Sequence, residues 1–281
     1  MLPRFGGSGA TISGFHRLVV QEHDVGASEA EHLVHGIWFY PVKSMRGHRV
    51  DSIFVGEHGI PGDRGLALFD VQDDRPASAK QASRWGNLMD VEVHLEQERG
   101  GEWPCPVILE FPDGARYSSS DPGIDDLLSR RFGFPTTLGA AAHDQPAFFD
   151  LAPLHVIDRG TMAHLEQLHP DSAPAIDRFR PNLLIDFPGS TGGFVENEWI
   201  GRRIRIGVDL VIEFTRPCSR CIMTTMAQGD LPGDPAVLKT LADHNALVLG
   251  DGGPSPCLGV YARTITTGTI GTGDLVVEES P

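Results

Sequence analysis

Arg216-Pro217-Cys218-Ser219-Arg220-Cys221-Ile222-Met223-Thr224-Thr225 holds two of the chain's four cysteines, spaced C-x-x-C and set between two arginines. The run follows a strand-like segment, Val211-Ile212-Glu213-Phe214. A proline, two thiols and two guanidinium groups within six residues suit a core poorly. They suit a loop that meets something anionic, soft or electrophilic, and the remaining chain is read for what it brings to that loop.

At 281 residues the chain can bury a sizeable core in one or two domains. Its 33 glycines and 21 prolines fit many turns between short strands better than a helical bundle. A net charge of −15 repels nucleic acid and anionic membrane surfaces, so neither is expected as a partner. No apolar run reaches the roughly 18 residues that a membrane-spanning helix needs, and the opening residues lack the apolar block of a secretory signal. Four cysteines are too few for a disulfide scaffold, which points to a reducing, cytoplasmic setting.

Along the chain, residues 1–35 read as a flexible tail, with a short strand possible at Leu18-Val19-Val20. Order is expected to begin at Gly36-Ile37-Trp38-Phe39-Tyr40-Pro41-Val42-Lys43-Ser44, and Arg49 to Val55 alternates with period two as one strand. Turn residues 59–65 deliver Arg64 to the strand Leu66–Asp70. Further strands are expected at Met89–Leu95 and Val107–Phe111, with a hairpin through Pro112-Asp113-Gly114 and a short helix over Gly123–Phe132. In the second half, strands are expected at Pro153–Ile157, Asn182–Asp186, Arg203–Gly207, Asp209–Phe214, Leu258–Ile265 and Gly273–Val277. Asp158 and Asp234-Pro235 open helices. The fold class is therefore mainly β with a few helices. It is expected as two packed β-rich domains, 36–145 and 146–281, the second carrying the cysteine loop.

A structural zinc site needs four ligands, usually two close pairs; Cys218 and Cys221 lack a second pair, and Cys105 and Cys257 stand alone. A thioredoxin-like pair would open a helix after a strand, whereas the surroundings here are β and threonine-rich. Two inert loop thiols, or one reactive thiolate favoured by Arg216 and Arg220, remain as readings. Lys43-Ser44, Arg64, Lys80 and Arg180 sit at the ends of strand-like or turn segments. They form either a solvated rim or a convergent holder for an anionic cofactor. No phosphate-binding Gly-rich loop, nucleophile elbow or zinc-protease helix motif occurs.

The pieces Tyr40-Pro41-Val42-Lys43-Ser44, Gly62-Asp63-Arg64, Phe179-Arg180-Pro181-Asn182, Cys218-Ser219-Arg220-Cys221-Ile222-Met223-Thr224-Thr225 and Leu258-Gly259-Val260-Tyr261-Ala262 occur in this order. Gly268-Thr269-Ile270-Gly271-Thr272-Gly273-Asp274 follows. Over about Gly36–Val277 the chain resembles MOSC proteins, with an N-terminal MOSC β-barrel domain and a MOSC domain. Among these it is similar to the mitochondrial amidoxime-reducing components and their bacterial relatives. The resemblance implies a β-barrel-like fold and a molybdenum cofactor whose metal is held by Cys221, which would be both metal ligand and catalytic residue. It implies Lys43, Ser44, Arg64, Arg180 and Asn182 as holders of the pterin and its phosphate, with Thr224 and Tyr261 behind them and Lys80 carried over from Ser78-Ala79-Lys80-Gln81. Cys218 would be a neighbour, not a ligand. The chain departs at Met226-Ala227-Gln228-Gly229-Asp230-Leu231-Pro232, where the family often carries Asp-Pro-Asp-Thr-Gly, so a substrate contact at that aspartate is not transferred.

The implied function is a molybdenum-dependent oxidoreductase acting on N-hydroxylated, N-oxide or similar small oxygen-atom acceptors, with electrons from an external reductase- or ferredoxin-type protein. No ferredoxin cysteine run is present, so no iron–sulfur cluster is expected in this chain. The alternative comes from MOSC domains at the end of molybdenum cofactor sulfurases. There Cys221 would carry a persulfide received from a pyridoxal-phosphate partner, or the chain would deliver cofactor without turning anything over. A pyridoxal-phosphate lysine does not follow from spacing here.

Overall fold

Short β-branched and aromatic runs separated by Gly, Pro and Asp turns give a chain of strands with few helices. The computed structural model describes residues 31–96, 105–142, 147–170, 174–190 and 192–279. The tail through residue 30 and the strand expected at Leu18–Val20 lie outside these. In chain order the strands are β1 (Val34–Phe39), β2 (His48–Val50), β3 (Ser52–Val55), β4 (Leu66–Asp70), β5 (Asp73–Pro76), β6 (Glu92–Leu95), β7 (Val107–Glu110), β8 (Arg116–Ser118) and β9 (Thr136–Ala140). They continue as β10 (Leu154–Asp158), β11 (Leu183–Ile185), β12 (Arg203–Ile206), β13 (Leu210–Ser219), β14 (Ala246–Val248), β15 (Pro254–Thr266), β16 (Gly268–Gly271) and β17 (Val276–Glu279). The α-helices are α1 (Ala82–Trp85), α2 (Ile124–Phe132), α3 (Arg159–Leu168) and α4 (Pro235–His244).

Nine strands share one sheet. Its path runs β17-β12-β13-β15-β10-β11-β1-β2, with β14 added to the end of β15. The path is open and the described strands do not close into a barrel. The expected strand Arg49–Val55 is in fact two: β2 pairs with β1, while β3 pairs with β16, and the chain changes sheets at Asp51. Period-two alternation runs on through such a corner, because it reports burial and not which sheet a residue joins. β5, β9, β14 and β16 and the short α1 were not expected. The expected strand at Met89–Leu95 begins only at Glu92, after a 3-10 turn over Gly86–Asp90.

The described residues from His32 onward pack as one unit around three apolar clusters. The largest lies under the nine-stranded sheet, where Phe187 and Trp199 stack at 3.7 Å beside Phe214. The second gathers Val42, Trp85, Leu109 and Leu128 from the first half of the chain. The third seats α3 and α4 on Ile157 and Leu258. Both helices start as their sequences demand. The Asp158 carboxylate accepts from Thr161 N and that of Asp234 accepts from Ala236 N, with Pro235 in the first helical turn. Among the described residues no helix is long and apolar enough to cross a membrane.

Glu196 is buried beside the start of α3, where Oε1 accepts from Asp158 N at 3.1 Å and Oε2 lies 2.5 Å from the Thr161 hydroxyl. That hydroxyl also donates to Gly193 O at 2.9 Å, and its single proton cannot serve both acceptors. A protonated Glu196 resolves the conflict by donating to Thr161. In agreement, burial pushes the Glu196 carboxyl up to about 7, and Asp158 is raised by burial as well. The folded chain thus holds a proton that the unfolded chain releases above the ordinary Glu range near 4.5. Stability from this group is fully present below about 4.5 and falls as pH rises toward 7, by about 3 kcal/mol in all. Glu196→Gln keeps a donor for Thr161, so it should flatten this part of the stability–pH curve. Urea unfolding across that window, giving an unchanged slope, would refute the assignment.

Candidate active site

β13 carries Pro217, which has no N–H for the ladder, and the strand accommodates it with register shifts on both sides, between Phe214 and Arg216 and between Pro217 and Ser219. The strand therefore runs further than expected, through Cys218, a residue only 1% exposed. Arg220 N then bonds Pro256 O at 2.7 Å and the chain leaves the sheet. Cys221 opens a 3-10 turn, Ile222–Thr225, and its carbonyl accepts from both the N and the Oγ1 of Thr224, at 3.1 and 3.0 Å. Thr225 Oγ1 donates to Ile222 O at 2.7 Å. The threonine pair thus holds the turn that presents Cys221, half-buried, to a cleft of about 320 Å³.

The cleft brings together Lys43, Ser44, Arg64, Lys80, Arg180, Asn182, Cys221 and Tyr261. They arrive from the β1–α1 segment, the approach to β11, the end of β13 and the middle of β15. Thr224 does not reach this wall: it is buried and its hydroxyl is committed to Cys221 O. Asn182 lines the floor, but its Oδ1 accepts from His155 N and its Nδ2 donates to Trp38 O, stitching three strands together. Arg216 is exposed on β13 and does not line the cleft, so of the two arginines flanking the cysteines only Arg220 stands beside the sulfurs.

Among the described residues, the non-glycine residues with positive φ are Ser44 (64°), Arg64 (52°) and Arg180 (51°), and all three line this cleft. Each such conformation costs on the order of 1–3 kcal/mol, a cost that surrounding structure must hold in place. Arg64 pairs with Asp63 and donates to Arg180 O at 3.2 Å, while Arg180 donates to Met45 O at 2.7 Å. Both guanidinium groups lie against the Tyr40 ring, at 4.7 and 4.4 Å from its centroid. The Ser44 hydroxyl accepts from Ala79 N, which fixes the segment bearing Lys80.

Asp150 was not singled out from sequence. It bridges Lys43 and Lys80, at 2.7 Å from each, so the cleft supplies its own anion between the two cations. Burial pushes the Asp150 carboxyl up, but the two lysines outweigh it and hold the group well below the usual carboxylate range. Burial lowers Lys43 and the same carboxylate works against that.

His155, in β10, also went unnoticed. Its Nε2 lies 3.2 Å from Leu258 O and 3.5 Å from Arg220, and burial followed by the Arg220 charge keeps the ring neutral. Arg220 donates to Cys218 Sγ at 2.8 Å and to Phe179 O at 2.8 Å. Burial and then the neighbouring Cys218 push the Tyr261 hydroxyl far up, so it keeps its proton. Arg178, fully buried, donates to Met226 O and Pro232 O and so pins the stretch that departs from the family pattern.

Among the described residues no group of three or more His, Cys, Asp or Glu side chains is placed to hold a metal ion. A metal at Cys221 would therefore bring most of its ligands with it. The wall fits such a carrier: one accessible thiol, six cationic side chains, and Nη2 of Arg180 and Nε of Arg220 buried without a hydrogen-bond partner among the described residues.

Residues 143–277 match the family model described as MOSC domain. This span, a little under half of the chain, is a MOSC domain. MOSC domains are associated with the molybdenum cofactor, and Cys221, Arg180 and Tyr261 all fall inside the matched span. No curated protein matches the chain. Among solved structures the chain is similar to the YUAD protein from Bacillus subtilis, at 12% identity over 89% of this chain and 97% of that one, with a TM-score of 0.43. YiiM from Geobacillus stearothermophilus matches at 16% identity over 46% of this chain and 54% of that one, with a TM-score of 0.30. YiiM from Escherichia coli matches at 15% over 46% and 55%, with a TM-score of 0.31. Likeness at this level bears on neither the site nor the activity of the MOSC domain described here.

Proposed function

We propose that the chain binds molybdenum cofactor in the Cys221 cleft and acts as an oxidoreductase on small N-hydroxylated, N-oxide or similar oxygen-atom acceptors. The observation that carries this reading is the division between the two thiols. Cys221 is half-buried and faces a cationic cleft, whereas Cys218 is sealed and already accepts from Arg220. A thiolate is a soft, strongly donating ligand suited to such a metal. When bound, the cofactor supplies two-electron redox chemistry at the metal.

The chain's own residues do the remaining work. Cys221 would ligate the metal. Lys43, Lys80, Arg64 and Arg180 would neutralise the anionic part of the carrier, with Asp150 yielding its place between the lysines or staying to orient them. Ser44 and the left-handed backbone around it hold those cations in register. Tyr261 keeps its hydroxyl proton in the wall, and neutral His155 adds no second positive charge beside Arg220. Electrons would come from an external protein of the reductase or ferredoxin type.

Protein purified from a host shown to make the cofactor should carry near-stoichiometric molybdenum by mass spectrometry and reduce a benzamidoxime-type substrate with a chemical electron donor. Metal-free protein under verified supply would sink the reading. The accessible Cys221 thiol also suits a persulfide carrier. Intact-mass analysis after incubation with a cysteine desulfurase distinguishes the two readings, because a stable adduct of one sulfur atom on Cys221 together with no turnover would favour the carrier.

A further inference from the structure

Arg180 also lines a second cavity, of about 380 Å³, whose walls include Trp38, Tyr40, Arg46, Arg49 and Gln228. Three of these side chains carry a buried polar atom with no hydrogen-bond partner among the described residues: Tyr40 Oη, Arg180 Nη2 and Gln228 Nε2. The residues are 3%, 9% and 5% exposed. Leaving one such group unpartnered costs about 1–3 kcal/mol, so three in one wall are a large expense unless something completes them. The atoms are shielded from bulk solvent, so bulk water does not complete them.

The Cys221 cleft reaches Arg180 but leaves the other two unexplained, because neither Tyr40 nor Gln228 lines it. The unmet groups are of one kind. An amide N–H and a guanidinium N–H only donate, and a phenol can donate. The charge agrees: three guanidinium groups line the cavity against one carboxylate, Asp177, in a chain of net charge −15. Arg46 is paired with Glu92, and Arg49 lies 5.7 Å over the Trp38 ring and donates to His35 O. Arg180, by contrast, has Met45 O and the Tyr40 ring but no carboxylate in an ion pair with it among the described residues. Burial and then the Arg64 charge push its basicity down to about 10. Gly47 is part of the construction. A Cβ there would lie 2.3 Å from Tyr40 Cδ1 and 2.4 Å from Phe39 O, so only glycine lets the chain close on the Tyr40 ring.

We propose that this second cavity binds a small oxyanion, a carboxylate or a phosphate, held by the unpartnered donors of Tyr40, Arg180 and Gln228. The site stands apart from the reading of the Cys221 cleft, yet shares Arg180 with it. An anion bound here would supply the counter-charge that Arg180 lacks and would fix the guanidinium that also faces the first cleft.

The test titrates the full chain by calorimetry with orthophosphate and, separately, with benzoate. Saturable binding of at least one probe is expected, and the tighter of the two names the source of the oxyanion. Gln228→Leu and Tyr40→Phe should each weaken it about tenfold or more, the scale of one lost hydrogen bond to a charged group. Lys80→Ala, confined to the Cys221 cleft, should leave it unchanged. Without anion, Gln228→Leu should melt no lower than the parent, because it deletes an unpartnered donor. Absence of saturable binding with both probes overturns the proposal. So does binding abolished by Lys80→Ala and indifferent to Gln228→Leu, which would place the anion in the first cleft. A Gln228→Leu chain that melts lower with undiminished affinity would show that ordered water alone completes the wall. Molybdenum content of Gln228→Leu, measured in parallel, should match the parent. A metal-free parent that still binds the probe would remove the cofactor reading and leave this site standing.

Discussion

Cys221→Ser should strip molybdenum from the purified protein almost entirely, while Cys218→Ser should retain most of it. The two residues are three apart in sequence and share the C-x-x-C signature, but the fold gives them opposite surroundings. Cys218 lies in β13 at 1% exposure, with Arg220 Nη1 at 2.8 Å and Tyr261 close enough to have its hydroxyl pushed up by the sulfur. Serine there can still accept from Arg220, so the change should cost on the order of 1 kcal/mol of stability. Cys221 is held at the head of a turn whose hydrogen bonds all involve backbone carbonyls or threonine hydroxyls, so its own side chain is structurally dispensable. Serine at 221 should fold normally. Its loss of metal should then exceed the roughly tenfold to hundredfold that removing even an outer partner of a metal ligand costs. Metal analysis beside circular dichroism checks both variants. Equal metal loss in the two would show that the sulfurs act jointly or that the wrong one has been assigned. A second readout needs no activity: in the cofactor-free chain Cys221 should alkylate well ahead of Cys218 and Cys257, both buried, and loading should protect it.

The site's cations were legible because each stands where a strand-like run stops, and a chain with few positive charges makes those positions conspicuous. What could not be read was their company. Asp150 meets Lys43 across 107 positions of sequence, and no local pattern marks a carboxylate destined to bridge two lysines. His155 sits in a run, Leu154–Asp158, that reads as plain buried strand, and its role emerges only when β15 lies against β10. Thr224 shows the converse. A hydroxyl next to a reactive thiol looks like a ligand contact, but its nearest acceptor is the carbonyl three residues back, as expected of threonine in a tight turn. The left-handed backbone at Ser44, Arg64 and Arg180 was equally hidden, since none of these residue types favours it. The capped helices at Asp158 and Asp234, by contrast, are local chemistry and were read correctly. The same logic explains β2 and β3: alternation was right residue by residue, and the break at Asp51 depends on β16, more than two hundred positions away.

Gly259→Ala should be a severely damaging single-methyl change behind the cleft. Gly259 has φ +77°, a conformation that costs an alanine about 1–2 kcal/mol on its own. A Cβ there would also lie 2.4 Å from His155 Nε2, 2.8 Å from Ile157 Cγ1 and 2.8 Å from Val156 O. The last of these is backbone of β10, and β10 is paired with β15 on one side and β11 on the other, so it cannot yield without disturbing both. Overpacking of this kind adds about 1–3 kcal/mol, for a total of roughly 2–5 kcal/mol. In a chain of this size that is a fall in melting temperature of roughly 5–15 °C. The tightest contact can be relieved only by moving His155, which stands against Arg220, and Arg220 in turn holds Cys218 and Phe179 O. The strain therefore runs to the turn that presents Cys221, and metal retention should drop with stability. Gly253→Ala is the matched control, because it follows β14, has no positive φ and meets no atom within 4 Å. It should melt within about 1 °C of the parent, as an exposed substitution away from special features does. A Gly259→Ala protein that melts with that control would mean that β10 and His155 give way freely, and that the Cys221 cleft is not held by the chain of contacts running from Gly259 to Arg220.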